Sequence, residues 1–507
     1  MMLSIAPLLQ ALMALFVLAA ASPASAQQAL TPERAAKGKP VYEKRCAGCH
    51  GLTGAGDGPA ADRLRPRPRD FKTAFYKFGD TVFGKLPMDT AMFRAISEGL
   101  PGSSMPGWKD TLREEEIWDV VAYIKDFSRK FARLKERGEK LEPLVIGTAP
   151  KLSEADIQEG KELFLKNCEK CHGKAGRGSG PSAVALKHDL GDRIWPRNLT
   201  KGWTFRNGNA IENIYRTAAG GITGTPMPSH LESLKPEQVW KIAGYVDTIV
   251  QREQPKTSEV IIGKPIEGAP PAGIDDARWA EAPAAHIPLA GQIIEGERWF
   301  TPTVDSVQVR ALYDSTMIYL LAEWDDPSAS PLTEPNDKFP ENEPDAFAVQ
   351  LPTVIPTGME KPYFLGGGNK SPVIQWKWTN GGAVETLSAK GILKVDPIAG
   401  PAANALSANA TYVDGQWRAM FTRPLTASGD GDLTIEPGKY IPIAFSAWDG
   451  NNGETAEKRA ISIWYWLLLE PPTPLTVYLW PAIIGFLIAG GEVWLVRKVN
   501  QHAHRKE

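Results

Sequence analysis

A six-residue motif that occurs twice constrains this 507-residue chain more than any other feature. Cys46-Ala47-Gly48-Cys49-His50-Gly51 returns as Cys168-Glu169-Lys170-Cys171-His172-Gly173, 122 residues further along. The same offset relates four other pairs of residues: Arg94 and Arg216, Met105 and Met227, Trp118 and Trp240, and Tyr123 and Tyr245. Because the offset persists so far beyond the motif, the sequence predicts two copies of one domain.

Each copy of the motif has the chemistry of a covalent haem site. Cys-x-x-Cys-His is the attachment signature of c-type haem, in which two thiols bond to the porphyrin and the adjacent His becomes an iron ligand. A Cys-x-x-Cys pair alone is also compatible with a redox dithiol or half of a zinc site, but the following His and the duplication favour haem. We therefore expect two covalently bound haem c groups, held by Cys46, Cys49 and His50 in one copy and by Cys168, Cys171 and His172 in the other.

Two methionines are the expected second axial ligands of the irons. Met105 and Met227 each follow their motif His by 55 residues, in loops rich in Gly, Pro and small polar residues. A Met is more often core filler, but its repetition at equal spacing in such loops argues for thioether ligation. Met88 and Met92, by contrast, have no counterpart in the second copy.

Predicted helices flank both motifs at corresponding positions. Helix starts are expected at Thr31-Pro32-Glu33 and Ser153-Glu154-Ala155-Asp156, and amphipathic helices over Glu116 to Phe127 and Gln238 to Val250. Gly38 and Gly160 each precede an aromatic residue by one turn, and we expect the first and last helices to cross there. With these motifs, residues 31 to 253 resemble the cytochrome c family in tandem. The resemblance implies two α-helical domains, each folded around a haem.

Arg69 and Arg197 each follow a proline in the loop beyond their motif. A guanidinium matches the geometry of a carboxylate, so these side chains are candidates for pairing with haem propionates. An ordinary solvated Arg fits the pattern equally well.

The C-terminal half has a different pattern. Residues from Gln254 to Ala277 are rich in Pro, Gly and Ala, which is typical of a linker. Beyond them, short β-type runs alternate with turns as far as Leu469, which predicts an antiparallel β-sandwich. Clear examples are Ser306 to Tyr313, Met317 to Trp324, Ala346 to Leu351 and Ala460 to Trp466.

Five stretches of this half, taken in order, resemble a second family: Gly273 to Trp279, Leu321 to Asp326, Ser371 to Trp378, Ala447 to Gly450 and Ile461 to Tyr465. On these stretches, residues 258 to 470 resemble the haem-b-binding γ subunit of molybdenum enzymes related to ethylbenzene dehydrogenase, selenate reductase and nitrite oxidoreductase. That subunit is itself similar to carbohydrate-binding β-sandwiches, so the resemblance implies the same fold here.

The second resemblance raises the question of a haem b, which that family holds between a Met and a Lys. Here Gly366 stands at the Met position and Arg459 nearest the Lys position, and a guanidinium stays protonated and cannot ligate iron. Lys458 and Met359 could supply ligands through a register shift. A haem b in this domain stays open, beside a role as a docking or spacing module.

Apolar segments near both termini predict export and membrane anchoring. Residues 1–26 contain an apolar run that ends in Ala24-Ser25-Ala26, the pattern of a cleaved signal peptide, with an uncleaved anchor as the alternative. Leu475 to Gly491 carries no charge over 17 residues, which predicts a membrane helix rather than a buried core helix. Basic residues follow it, so the positive-inside rule places the tail in the cytoplasm and the haem domains on the periplasmic side of the cytoplasmic membrane.

The expected organisation is multidomain. Its parts are a signal peptide at 1–26, cytochrome c domains at 27–140 and 150–256, an ethylbenzene-dehydrogenase-γ-like β-sandwich at 257–471, a transmembrane helix at 474–497 and a cytoplasmic tail at 498–507.

The function that fits this organisation is electron transfer. His and Met on opposite faces of an iron leave no open position for a substrate, and we identify no catalytic residues. The γ-subunit resemblance implies an electron-transfer and anchoring role in a molybdenum oxidoreductase complex of the nitrite or nitrate type, with catalytic and iron–sulfur subunits as partners, or a shuttle to a respiratory chain. A dihaem peroxidase-like enzyme and a carbohydrate-binding module fused to a cytochrome are the alternatives. The net charge of -2 does not indicate a nucleic-acid partner.

Overall fold

The computed structural model describes residues 30–64, 66–331, 342–358, 360–429, 431–471 and 476–503. The predicted signal peptide at 1–26, Met359 and the last residues of the predicted tail, 504–507, lie outside the described residues. The chain divides into two compact units, Met1–Gln254 and Pro255–Glu507.

The first unit is helical and repeats one arrangement twice. The first copy contains α1 (Pro32–Arg45), α2 (Ala47–His50), α3 (Asp89–Glu98) and α4 (Glu114–Asp126), followed by α5 (Arg129–Glu136). The second copy contains α6 (Glu154–Asn167), α7 (Glu169–His172), α8 (Ile211–Gly220) and α9 (Pro236–Ile249). The helix starts predicted at Thr31 and Ser153 are confirmed, since both residues are side-chain N-caps and Ser153 shares a capping box with Asp156.

Glycine allows the first and last helix of each copy to cross with their backbones in contact. A Cβ added to Gly38 would lie 2.0 Å from the carbonyl oxygen of Asp119 on α4, and one added to Gly160 would lie 2.0 Å from that of Lys241 on α9. Tyr42 and Phe164, one turn further along, are buried beside the crossings. The predicted crossing is confirmed in both copies, and its geometry excludes any side chain at the two glycines.

The second unit is built of strands that form two sheets. They are β1 (Val260–Pro265), β2 (Ala285–Pro288), β3 (Ala290–Gly291), β4 (Ser306–Tyr313), β5 (Met317–Asp325), β6 (Ala346–Pro352), β7 (Val373–Thr379), β8 (Val384–Ala389), β9 (Val395–Pro397), β10 (Ser407–Val413), β11 (Gln416–Pro424), β12 (Tyr440–Trp448), β13 (Ala460–Ile461) and β14 (Tyr465–Leu469), with a short helix α10 (Pro401–Asn404). One sheet has the order β10-β11-β5-β4-β1-β14-β12, and the other has the order β12-β6-β7-β8-β9. β12 belongs to both, because Tyr440 to Ile443 pair with β14 and Ala444 to Trp448 pair with β6.

The two sheets pack face to face around an aromatic core. The Trp324 ring of β5 stacks on the Phe347 ring of β6, with centroids 4.6 Å apart, and Phe445 of β12 lies 6.0 Å from Phe347. The predicted β-sandwich is confirmed. One strand departs from the antiparallel prediction, because β1 runs parallel to both β14 and β4. Residues 266–305, which include β2 and β3, separate β1 from β4. This stretch is long enough for the chain to return to the same end of the sheet, which parallel pairing requires.

A long apolar helix, α11 (Thr476–Ala503), ends the described chain. Val477–Val499 has a mean hydropathy of 1.8, and none of it is buried against protein. Its 23 residues are long enough to cross the hydrocarbon core of a bilayer. The structure therefore contains one candidate C-terminal membrane helix among the described residues, at the predicted place.

Candidate haem-binding sites

The predicted ligands of the first copy lie around one cavity. α1 ends at Arg45, Cys46 links it to the single turn of α2, and the His50 amide donates to the Cys46 carbonyl at 2.9 Å. This turn places Cys46, Cys49 and His50 on one wall, and Met105 lies on the wall of the same cavity. Much of the remaining lining is apolar, including Phe71, Tyr76, Ala91, Met92, Ile96, Trp108, Val120 and Ile124. Such a lining suits the apolar body of a porphyrin.

A backbone carbonyl orients each motif histidine. Nδ1 of His50 lies 3.0 Å from the carbonyl oxygen of Arg69, and Nδ1 of His172 lies 3.0 Å from that of Arg197. Because a carbonyl can only accept, Nδ1 is the protonated nitrogen, and Nε2 has no hydrogen-bond partner among the described residues. Burial lowers the pKa of both imidazoles, to about 4 for His172. Both rings are therefore neutral at pH 7 and present the nitrogen that a metal requires.

The two methionine loops have matching hydrogen bonds. In the first copy the Leu100 amide donates to the Met105 carbonyl at 3.1 Å, and the Ser103 hydroxyl accepts from the Met105 amide at 3.3 Å. The second copy repeats both contacts at 3.0 and 3.2 Å, with Ile222, Thr225 and Met227 in the corresponding places. Two different sequences thus hold Met105 and Met227 in the same backbone geometry.

Excess positive charge borders the first cavity. Arg206 comes from the second copy but lines this cavity, and its Nε is buried without a hydrogen-bond partner in the described structure. Burial lowers the pKa of Arg206 to about 10. It also lowers the pKa of the cavity residue Lys77 to about 8, with repulsion from Arg69 and Arg206 adding to the effect. Partly desolvated cations of this kind fit an anionic ligand, and the propionates of a haem are such anions.

The backbones of Arg69 and Arg197 take part in the two sites. Their carbonyls hold the two histidines at different sequence separations. Arg69 follows His50 by 19 residues, and Arg197 follows His172 by 25 residues. The Arg69 guanidinium forms an ion pair with Asp189 of the second copy at 2.8 Å.

The two copies meet at a shared carboxylate. Asp80 pairs with Arg94 of its own copy at 2.7 Å and with Arg216 of the other copy at 2.9 Å, and these two arginines occupy equivalent positions in the repeat. The Gly84 amide also donates to the Thr223 hydroxyl in the loop before Met227, at 3.1 Å. The second methionine loop therefore lies at the junction between the copies.

Sequence reasoning missed one residue of the second site. Nε2 of His230 lies 3.9 Å from the Cys168 sulfur, and its charge contributes to the lowered pKa of His172. The 122-residue offset relates His230 to Trp108, which lines the first cavity. Extending the repeat comparison three residues past each Met would have shown this difference. Arg206, Lys77 and Asp80 gave no such signal, since their roles depend on packing between the copies.

Two of the residues in question for a haem b, Gly366 and Arg459, do not fit as iron ligands. Gly366 has a positive φ of 84°, and a Cβ there would lie 2.8 Å from the backbone of Gly391, so no side chain fits. Arg459 is buried with its guanidinium 4.9 Å from the centre of the Trp448 ring. Lys458 forms an ion pair with Glu297 at 2.7 Å. A haem b held by Met359 and Lys458 through a register shift stays a prediction, with Met359 outside the described residues.

Comparison with protein families identifies the class of each part. Residues 33–124 match the family model of cytochrome c oxidase, cbb3-type, subunit III, and residues 157–249 match that of cytochrome c. Residues 394–460 match the ethylbenzene dehydrogenase family model. The chain thus consists of two cytochrome c domains and an ethylbenzene dehydrogenase-like domain, as the two resemblances implied.

Individual relatives agree with this composition. The chain is 26% identical to chlorate reductase subunit gamma of Ideonella dechloratans over 219 residues, 42% of this chain and 86% of that protein. It is 26% identical to dimethylsulfide dehydrogenase subunit gamma of Rhodovulum sulfidophilum over 210 residues, 39% of this chain and 75% of that protein. A chain in the structure of the reducing HAO-like protein complex of Kuenenia stuttgartiensis is 40% identical, with a TM-score of 0.40, over 42% of this chain and 96% of that one. The two cytochrome c domains and the two gamma-subunit relatives support an electron-transfer cytochrome as the class.

Proposed function

We propose that this chain is a membrane-anchored dihaem cytochrome that carries electrons. It serves either as the electron-transfer and anchoring subunit of a molybdenum oxidoreductase complex of the nitrite or nitrate type, or as a shuttle between such a complex and a respiratory chain. The observation that carries the proposal is the matched pair of sites. Each has a Cys-x-x-Cys-His turn, a carbonyl-held imidazole and a methionine loop of the same geometry.

The residues of each site have distinct roles in this proposal. The thiols of Cys46 and Cys49, and of Cys168 and Cys171, would attach one haem each. His50 and Met105 would hold the iron of the first haem, and His172 and Met227 that of the second. When bound, a haem supplies a one-electron iron couple whose potential the axial ligands and the burial set. An iron held by both a His and a Met would have no coordination position left for a substrate.

Charged residues of the protein complete the sites and join them. Arg206 supplies positive charge at the first cavity, where it would balance a propionate. Asp80 holds Arg94 and Arg216 and so keeps the two copies in one arrangement. A fixed arrangement keeps the distance between the two sites constant, which favours electron exchange between them.

The proposed partners follow from the relatives and from the anchor. Two relatives are gamma subunits of a chlorate reductase and a dimethylsulfide dehydrogenase, which supports a catalytic subunit and an iron–sulfur subunit as partners here. α11 would anchor the complex, and Arg497 and Lys498 near its end favour a cytoplasmic tail. A signal peptide at 1–26 would then export both haem domains to the periplasmic side.

Gentle solubilisation of membranes, followed by haem analysis and identification of co-purifying subunits, tests the proposal. We expect two haem c groups per chain, low-spin iron at rest and a co-purifying molybdenum protein. Preparations without covalent haem would reject the electron-transfer role. An iron that is high-spin at rest, and that binds carbon monoxide once it is reduced, would instead favour the dihaem peroxidase-like alternative.

A further inference from the structure

Three buried aspartates meet at one end of the β-sandwich. Asp326 directly follows β5, Asp345 directly precedes β6 and Asp449 directly follows β12. One carboxylate oxygen from each lies within 4.8 Å of the other two. The exposed fractions are only 1%, 0% and 0%. The cluster therefore joins a strand of one sheet to two neighbouring strands that pair in the other.

Such a cluster requires a balancing positive charge. Asp326 and Asp345 make no ion pair with any described residue. Like charges in a medium of low polarity repel strongly, so the cluster must hold either protons or a cation.

The hydrogen bonds around the cluster are those of ionised carboxylates. Asp345 accepts from the Ser330 amide at 2.6 Å, the Trp417 indole at 3.1 Å and the Gly450 amide at 2.9 Å. Both of its oxygens are therefore occupied as acceptors. Asp449 likewise accepts from the Thr303 hydroxyl at 2.6 Å and the Asn452 amide at 3.1 Å, one at each oxygen. Donors that converge on both oxygens of a carboxylate stabilise its charged form.

Two oxygens at the cluster, one from Asp326 and one from Ser330, have no hydrogen-bond partner in the part of the chain that the structure describes. Oδ2 of Asp326 is buried without a hydrogen bond, while its Oδ1 accepts from the Ser328 amide at 3.0 Å. The hydroxyl of Ser330 is also buried and unpartnered, on the residue whose amide holds Asp345. Buried polar atoms are almost always satisfied in folded proteins. Two unsatisfied oxygens beside a carboxylate cluster indicate a missing electropositive partner.

We propose that Asp326, Asp345 and Asp449 bind one Ca²⁺ ion that ties the two sheets of the sandwich together. All the ligand atoms are hard oxygens, whereas zinc and copper prefer sites with sulfur or imidazole ligands. Ca²⁺ takes its ligands directly from protein and tolerates irregular geometry, whereas Mg²⁺ keeps several water molecules that a fully buried site has little room for. Glu454 stands beside the cluster, where it accepts from the Asp449 amide and the Trp299 indole.

Metal analysis and thermal unfolding of the solubilised full-length chain test this site. We expect one Ca²⁺ per chain after dialysis, and removal with a chelator should lower the melting temperature of the sandwich by about 5–10 °C. Tryptophan fluorescence follows the sandwich core, and the haem absorbance follows the helical unit, whose transition should not move. Added Ca²⁺ should restore the original transition, and Mg²⁺ at the same concentration should not.

Matched variants separate a metal site from a general loss of packing. Asp345→Asn should abolish both the bound Ca²⁺ and the effect of the chelator, whereas Asp396→Asn, at an exposed acid of β9, should change neither. If Asp345→Asn does not fold, the metal content and chelator response of the unmodified chain still decide the question. A chain without Ca²⁺, insensitive to the chelator and losing stability as pH rises, would show that protons balance the cluster and would overturn the proposal.

Discussion

The two cytochrome copies agree in some places and differ in others, and the difference shows what each site requires. They share the crossing glycines, the carbonyl contact to His50 or His172 and the hydrogen bonds of the methionine loops. They differ in the length of the loop that supplies the carbonyl and in the residue three positions past Met, Trp108 or His230. Geometry is therefore kept at the ligands and at the helix crossing, while the surroundings of each iron site vary.

The crossing glycine of one copy offers the most severe test of this equivalence. Gly38→Ala should destabilise the first copy by about 3 kcal/mol or more, because the added methyl would overlap the Asp119 carbonyl at 2.0 Å. Gly48→Ala is the matched control, since a Cβ there meets nothing within 4 Å. Thermal unfolding monitored at the haem absorbance measures both. Equal stability of the two variants would contradict a backbone-to-backbone crossing.

Replacement of the methionines tests whether the two iron sites are equivalent. Met105→Ala and Met227→Ala should each convert one of the two irons from low to high spin, because the thioether is the expected sixth ligand. Met88→Leu, at a methionine without a counterpart in the repeat, should leave the spectrum unchanged. Electron paramagnetic resonance and optical spectra give the readout. Unchanged spin states in either alanine variant would refute the ligand assigned to that copy.

Spacing alone predicted the parts of the fold that depend on local sequence. The offset of 122 residues and the turn between glycine and aromatic residue were enough to predict two copies and their helix crossings. Contacts between the copies were not predictable in this way. Arg206 reaches a cavity formed by the other copy, and Asp80 pairs with Arg216 across more than a hundred residues of sequence. Such contacts are set by packing of whole domains, and neither residue has an equivalent of its own type in the repeat.

The same limit applied to the β-sandwich. Alternating runs predicted strands and a sandwich, but nothing local in Val260–Pro265 distinguishes a parallel from an antiparallel neighbour. The aspartates 326, 345 and 449 are likewise scattered along the chain, and only the pairing of β6 with β12 and the facing of β5 bring them together.

The junction between the copies should weaken in acid. Burial alone would raise the pKa of Asp80, but Arg94 and Arg216 more than offset it and hold the pKa below the usual 3.8. A carboxylate with a lowered pKa in the folded state stabilises above its unfolded pKa and loses that contribution as the pH falls through the lowered value. Asp80→Asn should reproduce the loss at pH 7, at about 1–3 kcal/mol.

Hydrogen exchange in the loops at the junction measures this effect. The amides of Gly84 and Leu144, which both bond across this region, should exchange faster in Asp80→Asn than in the unmodified chain. Exchange within α9 should stay unchanged, since no hydrogen bond or ion pair joins that helix to Asp80 in the described structure. Uniform acceleration throughout the unit would point to global destabilisation and contradict a local junction.

The smallest expected effect is on a reduction potential. It concerns Arg206, which belongs to the second copy but places its charge at the cavity of the first. Arg206→Gln removes a positive charge from the wall of the first cavity, which stabilises the oxidised iron there. The reduction potential of that haem should therefore fall by tens of millivolts. This is on the order expected for a charge roughly 10 Å away in a partly polar medium. Arg206→Lys should restore most of the potential, because charge rather than shape sets it. Arg137→Gln, at an arginine exposed to solvent, should leave both potentials unchanged. In a spectroelectrochemical titration, only the couple that Met105→Ala also perturbs should move; a shift of the other couple would assign Arg206 to the haem of its own copy.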